Sequence, residues 1–523
     1  MRRSVNLGMR RLGDKRPVFC RWPGQRFGNF AVMRRMFKIL AGLALAAWGA
    51  GEIIAAELLR EQAAAALRRG VDFFVKEVSV QGTYLWQYSE DLAKREGEGK
   101  ATATQGWVQP PGTPSVGEAL LTAWEATGEP RCRDAVRQTA LALARGQLRS
   151  GGWTYFIDFD PQSKRPLAYR LGGVADKKAR NWTTLDDDTT QSAARFLMRA
   201  DQAFEFREPA IHEAVKVALE SLLKAQFPNG AWPQGFEEFP DPARYPVKKA
   251  AYPEAWSRAP DVKEYWRFYT FNDNLVADLI ETLFAAAKIY QPPATNHRLQ
   301  ALGAACRAAA EKAGDFILLA QMPEPQPAWA QQYNFEMHPA WARKFEPPSV
   351  TGGESQGLLR VLLGLYRRTG QAKYLEPIPR ALDYLRRSRL PNGRLARFYE
   401  LRTNRPLYFT KDYQLTYDAG DVPTHYAFVV DDRTDSLARE FEELRRLDPA
   451  TLAAPRAPAR PRASPALEAQ VRQIIAAQDA RGRWVEEGRL KYHGGNDPTT
   501  RIIRSQTFSR NIETLSQYLR ATQ

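Results

Sequence analysis

Cysteine is nearly absent. The 523 residues contain three, Cys20, Cys132 and Cys306, and no C-x-x-C pair, which excludes cysteine-based metal and dithiol redox motifs. Histidine is as sparse. His212, His297, His338, His425 and His493 are scattered, so a Ser-His-Asp hydrolase has no support. The chain also lacks a glycine-rich phosphate loop, zinc-finger spacing and a helix-turn-helix signal. No apolar run reaches the ~20 residues of a membrane-spanning helix, and strand-like alternation is scarce.

What is present is positive charge, +16 overall. Such a surplus suits a polyanionic partner: nucleic acid, an anionic membrane or an acidic polysaccharide. The absent motifs count against nucleic acid. The 13 Trp and 20 Tyr serve core packing first and offer faces to sugar rings second. Part of the charge lies near the N-terminus, where Met33-Arg34-Arg35-Met36-Phe37-Lys38 precedes the apolar stretch 39–54 and Ala55-Ala56. A basic region, a short apolar region and a small-residue cleavage site make a secretory signal peptide. The expected segments are a basic extension (1–32), a signal peptide (33–56) and a mature chain from about Glu57. That chain is expected to be secreted or periplasmic, monomeric and without stable membrane association.

Beyond residue 57 the sequence predicts helix after helix. Apolar residues recur at i, i+3, i+4 and i+7 over Val116–Thr127, Cys132–Arg145, Thr190–Ala203, Ala210–Lys224, Asn274–Tyr290, Leu299–Leu319, Ser355–Arg368 and Ile378–Arg387. The best strand candidate is Arg394–Tyr408. A short turn motif repeats after several helices: Gln147 to Gly151-Gly152-Trp153, Gln226 to Gly230-Ala231-Trp232 and Gln478 to Gly482-Arg483-Trp484, with a degenerate copy at Leu390–Leu395. Glycine there stops the helix and turns the chain. Helical pairs repeated about an axis predict an all-α fold, an incomplete α/α toroid whose long loops and short β-segments form a cleft. Residues 57–448 make this domain. Residues 449–465 are a Pro/Ala-rich linker, and 466–523 a C-terminal helical segment that closes the toroid.

Four segments carry chemistry. Asp186-Asp187-Asp188-Thr189-Thr190 opens one helix, and Thr270-Phe271-Asn272-Asp273-Asn274 opens another. Carboxylates at a helix start cap the backbone and answer the dipole, but three in a row also supply hard oxygen ligands for Ca²⁺. Trp341-Ala342-Arg343-Lys344-Phe345-Glu346 and Ala396-Arg397-Phe398-Tyr399-Glu400, the latter with Thr403-Asn404-Arg405-Pro406 and Lys411, mix cations with aromatics.

In order and spacing these segments resemble polysaccharide lyase family 10, the pectate lyases with a partly closed α/α toroid. The resemblance spans roughly residues 130–430. It implies cleavage of polygalacturonate by β-elimination, giving 4,5-unsaturated products, with Ca²⁺ as cofactor and an acidic polysaccharide as partner. By the same resemblance Asp186, Asp187, Asp188 and Asp273 are the metal residues and Arg343 the base. Arg397, Lys411, Arg405, Thr190, Asn272, Gln331 and Trp232 fall to substrate binding. The chain departs from the family at Gln331-Gln332-Tyr333, where Gln-His-Asp is expected, and at Lys411, where the family has arginine. Lysine keeps the charge but loses the bidentate fork. Three rivals stand beside this reading. A glycoside hydrolase would use Asp187 or Asp188 with Glu346 or Glu354. A non-catalytic binder of acidic glycans would lack a competent base. A triterpene-cyclase-like protein would share the Gln-to-Trp turns.

Overall fold

The computed structural model describes residues 56–172, 177–260, 263–291, 297–448, 452 and 462–523. It divides into two units, Met1–Leu59 and Arg60–Gln523. Of the first, only 56–59 are described, and they are helical. The extension 1–32, the signal-peptide residues up to Ala55 and most of the linker 449–465 lie outside the described residues. Among the described residues no helix is long and apolar enough to cross a membrane.

The second unit is an incomplete α/α toroid. Its helices are α1 (60–73), α2 (Thr113–Thr127), α3 (Pro130–Arg145), α4 (Thr189–Ala203), α5 (Pro209–Ala225), α6 (Leu275–Ile289), α7 (His297–Leu319), α8 (Gly352–Thr369), α9 (Ile378–Arg387), α10 (Thr434–Arg445), α11 (Pro465–Ala476) and α12 (Ser505–Ala521). The inner arc runs α12, α2, α4, α6, and outside it α3 packs on α5 and α5 on α7. The inner helix α4 is buried on most sides: Thr189 through Ala194 are all buried, the polar Thr189, Thr190, Gln191 and Ser192 among them. The eight predicted helices all form, with ends displaced by at most three residues. The predicted strand breaks into Leu395–Ala396, Phe398–Glu400 and Pro406–Phe409, because the chain turns at Arg402 and Asn404, both with positive φ.

The repeated turn works the same way each time. Gln147 Nε2 donates to Gly151 O within its own turn and to Ala214 O on α5, the next outer helix. Gln226 does the same with Gly230 O and Ala309 O on α7. The Trp indole then reaches back to the preceding helix, Trp153 to Leu143 O and Trp232 to Leu222 O, both at 2.8 Å. Glycine is required where the turn tightens. Gly230 has φ +97°, and a Cβ there would lie 2.1 Å from Lys312 O. The structure adds a copy that spacing hid, in which Gln321 bonds Pro327 O and Pro377 O and Trp329 bonds Ile317 O. The last copy returns to the beginning: Gln478 Nε2 donates to Ala66 O on α1.

After each of these turns a short strand pairs with the strand leading into an inner helix. Thr183–Thr184 pairs with Gly235–Phe236, Tyr269–Thr270 with Gln332–Tyr333, and Ser349–Thr351 with Phe398–Glu400. These ribbons bring the starts of α4, α6 and α8 to the same end of the toroid.

Candidate active site

The starts of α4 and α6 are near copies of one another. Each begins with a 3₁₀ turn, Asp186–Asp188 and Asn272–Asn274. In each, two successive residues are left-handed: Asp187 and Asp188 at φ 51° and 58°, Asp273 and Asn274 at φ 46° and 61°. Asp and Asn are the non-glycine residues that tolerate this region, which accounts for the unusual Asp-Asp and Asp-Asn pairs. The expectation that these side chains cap the helices is not met. Neither Asp188 nor Asn274 makes a side-chain cap bond. The turn instead directs carboxylates into the cleft.

Asp186, Asp187 and Asp273 meet there, each offering an oxygen within 4.8 Å of the others. Burial, and then the Asp187 and Asp273 charges, push Asp186 up to about 7; burial and Asp273 push Asp187 up to about 6. Asp186 Oδ1 is buried without a hydrogen-bond partner. Crowded, desolvated carboxylates with an unsatisfied oxygen are what a hard cation stabilises, so the residues present fit Ca²⁺. Asp188 is not brought into this cluster; it turns away to an ion pair with Arg195. Three neighbours brace the cluster, of which the sequence singled out only Gln331. Gln109 Nε2 donates to Asp187 Oδ2 at 2.9 Å, the Tyr155 hydroxyl lies 3.4 Å from Asp186 Oδ2, and Gln331, through Asn272, leads to Asp273.

Arg343 faces the cluster, with Nη2 3.7 Å from Asp273 Oδ2. A tight turn, closed by Glu346 N–H to Arg343 O, brings Glu346 back against it. Glu346 is buried and accepts two parallel bonds from Arg343 Nε and Nη2, at 2.8 and 2.7 Å, and one from the Tyr426 hydroxyl. Burial disfavours the guanidinium charge, but the bonds and charge of Glu346, with Asp273, hold its pKa above the ordinary arginine value. Arg397 is placed over the Tyr426 ring, bonded to Ala427 O at 2.7 Å and to Glu354 at 3.1 Å. An aromatic floor of Trp341, Phe345, Phe398, Phe409 and Phe428 backs both arginine segments.

The other residues named from sequence sit elsewhere. Trp232 is fully buried in its turn, and the Thr190 hydroxyl is bonded to the backbone of Trp153. Arg405 stacks on Tyr417, 3.5 Å from the ring centroid. Lys411 is exposed and paired with Asp421 at 2.8 Å. Gln109 and Tyr155 carried no sequence signal because they come from other parts of the ring; Glu346 was visible three residues after Arg343. Cys132 and Cys306 are both free and buried.

Comparison with known proteins gives the class. Residues 168–365 match the family model of pectic acid lyase, and that stretch holds Asp186, Asp187, Asp273, Arg343 and Glu346. The protein is an enzyme of the polysaccharide lyase class, built on an α/α toroid. The match covers the segment 168–365, less than half of the chain. A family 10 polysaccharide lyase from Cellvibrio cellulosa, and a mutant of it in complex with trigalaturonic acid, each share 21% identity over 64% of this chain and 98% of theirs, with TM-score 0.42. A glycoside hydrolase family 76 mannosidase from Bacteroides thetaiotaomicron shares 11% identity over 89% of this chain and 98% of its own, with TM-score 0.38. No curated protein matches.

Proposed function

We propose that the protein is a pectate lyase that cleaves polygalacturonate by calcium-assisted β-elimination. The observation that supports this most is the gathering of Asp186, Asp187 and Asp273 at two inner-helix starts, with Arg343 Nη2 3.7 Å from Asp273. Elimination removes the C5 proton of a uronate, forms the C4–C5 double bond and expels the glycosidic oxygen from C4. Asp186, Asp187 and Asp273 would hold calcium, which would supply the positive charge that draws electron density from the uronate carboxylate and acidifies C5–H. Arg397, fixed by Glu354 and Ala427, keeps further N–H donors for a neighbouring carboxylate.

Arg343 is the residue assigned to C5. The family resemblance makes it the base. The Glu346 clamp favours a second reading, in which Arg343 stays charged and steadies the carbanion. Under the first reading, substrate must loosen the clamp before the guanidine accepts a proton. A hydrolytic mechanism fits less well, because Glu346 and Glu354, the glutamates it would use, are each paired with an arginine. Incubating the protein with polygalacturonate tests the proposal. Ultraviolet absorbance of an unsaturated product should rise, and should stop on chelation and return with calcium. Reducing ends without absorbance would mean hydrolysis instead.

The basic-apolar leader at 33–56 supports export, to the periplasm or beyond. N-terminal sequencing of exported protein should find a start near Glu57; a retained leader would refute cleavage.

A further inference from the structure

The C-terminal segment builds a hollow of its own. A cavity of about 520 Å³ lies between α11, α12 and the strand Val485–Glu487. That volume falls within the range of small-molecule sites, about 300–1,000 Å³. None of the residues placed in the cleft lines it.

Both helices turn the same kind of face to it. On α12, Thr507, Arg510, Asn511 and Thr514 recur at i, i+3, i+4 and i+7. On and just beyond α11, Gln470, Gln473, Ile474 and Ala477 repeat that spacing. The spacing puts each set on one stripe of its helix. Helices that pack together ordinarily meet through apolar stripes; here most of the facing residues are polar.

Two of these side chains lack a partner. Asn511 is only 5% exposed, yet its carboxamide makes no hydrogen bond among the described residues. A buried amide left unpaired is costly, and a hydroxyl entering the cavity removes that cost. Arg510 is exposed, and its guanidinium has neither ion pair nor hydrogen bond among the described residues. The carboxylate on the wall is already answered. Glu486 pairs with Arg504 at 3.1 Å and accepts from Thr507 Oγ1 at 3.1 Å. What the cavity still calls for is one negative charge. Ile474, Ala477, Trp484 and Val485 add an apolar patch. The Trp484 indole N–H is held by Ile474 O at 2.9 Å, so the ring offers carbon alone.

We propose that this cavity is a second carbohydrate-binding site, which takes a uronate unit of an acidic polysaccharide outside the cleft. A pyranose uronate has the matching parts: a carboxylate for Arg510, hydroxyls for Asn511 and Gln473, and a C–H face for Ile474 and Trp484. The choice of galacturonate as the uronate rests on the pectate lyase reading; the demand for an anionic sugar does not. Such a site holds the polymer while the cleft works on another stretch of it.

Titration calorimetry on the full chain tests this, in excess chelator. Without calcium the three carboxylates of the cleft repel uronate, so binding there does not contribute. The probes are trigalacturonate and galactotriose, its neutral counterpart. The wild type should bind trigalacturonate about tenfold tighter, the worth of a charge-assisted pair. Arg510→Gln should erase that preference, leaving the two probes alike. Asn511→Leu should weaken both. Lys288→Gln, which removes an exposed charge on α6, should change neither. Equal wild-type affinity for the two probes overturns the proposal. So does a preference that survives Arg510→Gln, or one that Lys288→Gln removes as well. Arg510 is exposed and unpaired, so its variant decides the matter even if Asn511→Leu fails to fold. Adding calcium reads turnover separately. If no unsaturated product forms but the Arg510-dependent preference holds, the lyase reading fails and the second site stands.

Discussion

Arg343 and Glu346 form a two-bonded ion pair at the site, and the position of the guanidinium depends on the carboxylate. If Arg343 is the base, Arg343→Lys and Arg343→Ala should both lower kcat by about 10²–10⁴ with binding kept. If it is a charged stabiliser, Arg343→Lys should retain much of the rate. Glu346→Gln separates the readings further, since loosening the clamp favours a base and disfavours a fixed cation. A kcat–KM comparison of the three variants at saturating polygalacturonate decides between them.

The three crowded carboxylates make a second prediction at the same scale. Asp186 and Asp187 hold their protons more tightly in the folded protein, to about 7 and about 6, than their ordinary value of 3.8 allows. The unfolded chain releases those protons first, so metal-free stability should fall as pH rises from 3.8 towards 7. Calcium must displace the same protons. Its affinity should climb between pH 6 and 7, and its binding heat at pH 6.5 should depend on the buffer's ionisation enthalpy. A buffer-independent heat at that pH would rule out proton release from the cluster.

At the scale of elements, the repeated turn is the unit that sets one outer helix against the next. Gln226 serves two carbonyls, Gly230 O and Ala309 O, on two different elements. Gln226→Leu keeps the volume and removes both bonds. The expected cost is about 1–3 kcal/mol, read as a lower denaturation midpoint at unchanged m. Activity of the folded fraction should persist, because the turn holds the ribbon under α4 and α6 rather than the cleft itself. A midpoint equal to that of the wild type would show that the glutamine is not a tie between helices.

For the whole molecule, the question is whether the segment after the linker is part of the ring. Phe508 on α12 stacks on Phe74 with ring centroids 3.7 Å apart, Gln87–Ser89 pairs with the strand Arg501–Arg504, and Gln478 bonds α1. The segment 462–523 should therefore unfold with the toroid. Calorimetry is expected to show one transition for the second unit, and Phe508→Ala should lower it by the equivalent of about 3–5 kcal/mol. Two transitions, only one of them moved by Phe508→Ala, would make the C-terminal segment a separate domain.

The helices were legible because their signal is local: an apolar stripe at period 3.6 and a glycine at the turn are written within one segment. The acidic helix starts and Arg343 were legible for a similar reason, as short runs in a recognisable order. Other features were settled only by folding. Asp188 looked equivalent to its neighbours, and it is the left-handed turn at Asp187-Asp188 that sends it to Arg195 and leaves Asp186 and Asp187 in the cleft. Trp232 and Thr190 stood beside the right motifs, but they face the core, where the turn needs their hydrogen bonds. Gln109 and Tyr155 matter through contacts with Asp187 and Asp186 from distant parts of the chain. Sequence by itself determined which segments are helical, where they turn and which residues carry charge. Tertiary structure decided which charges meet, because that depends on distances between segments far apart in the chain.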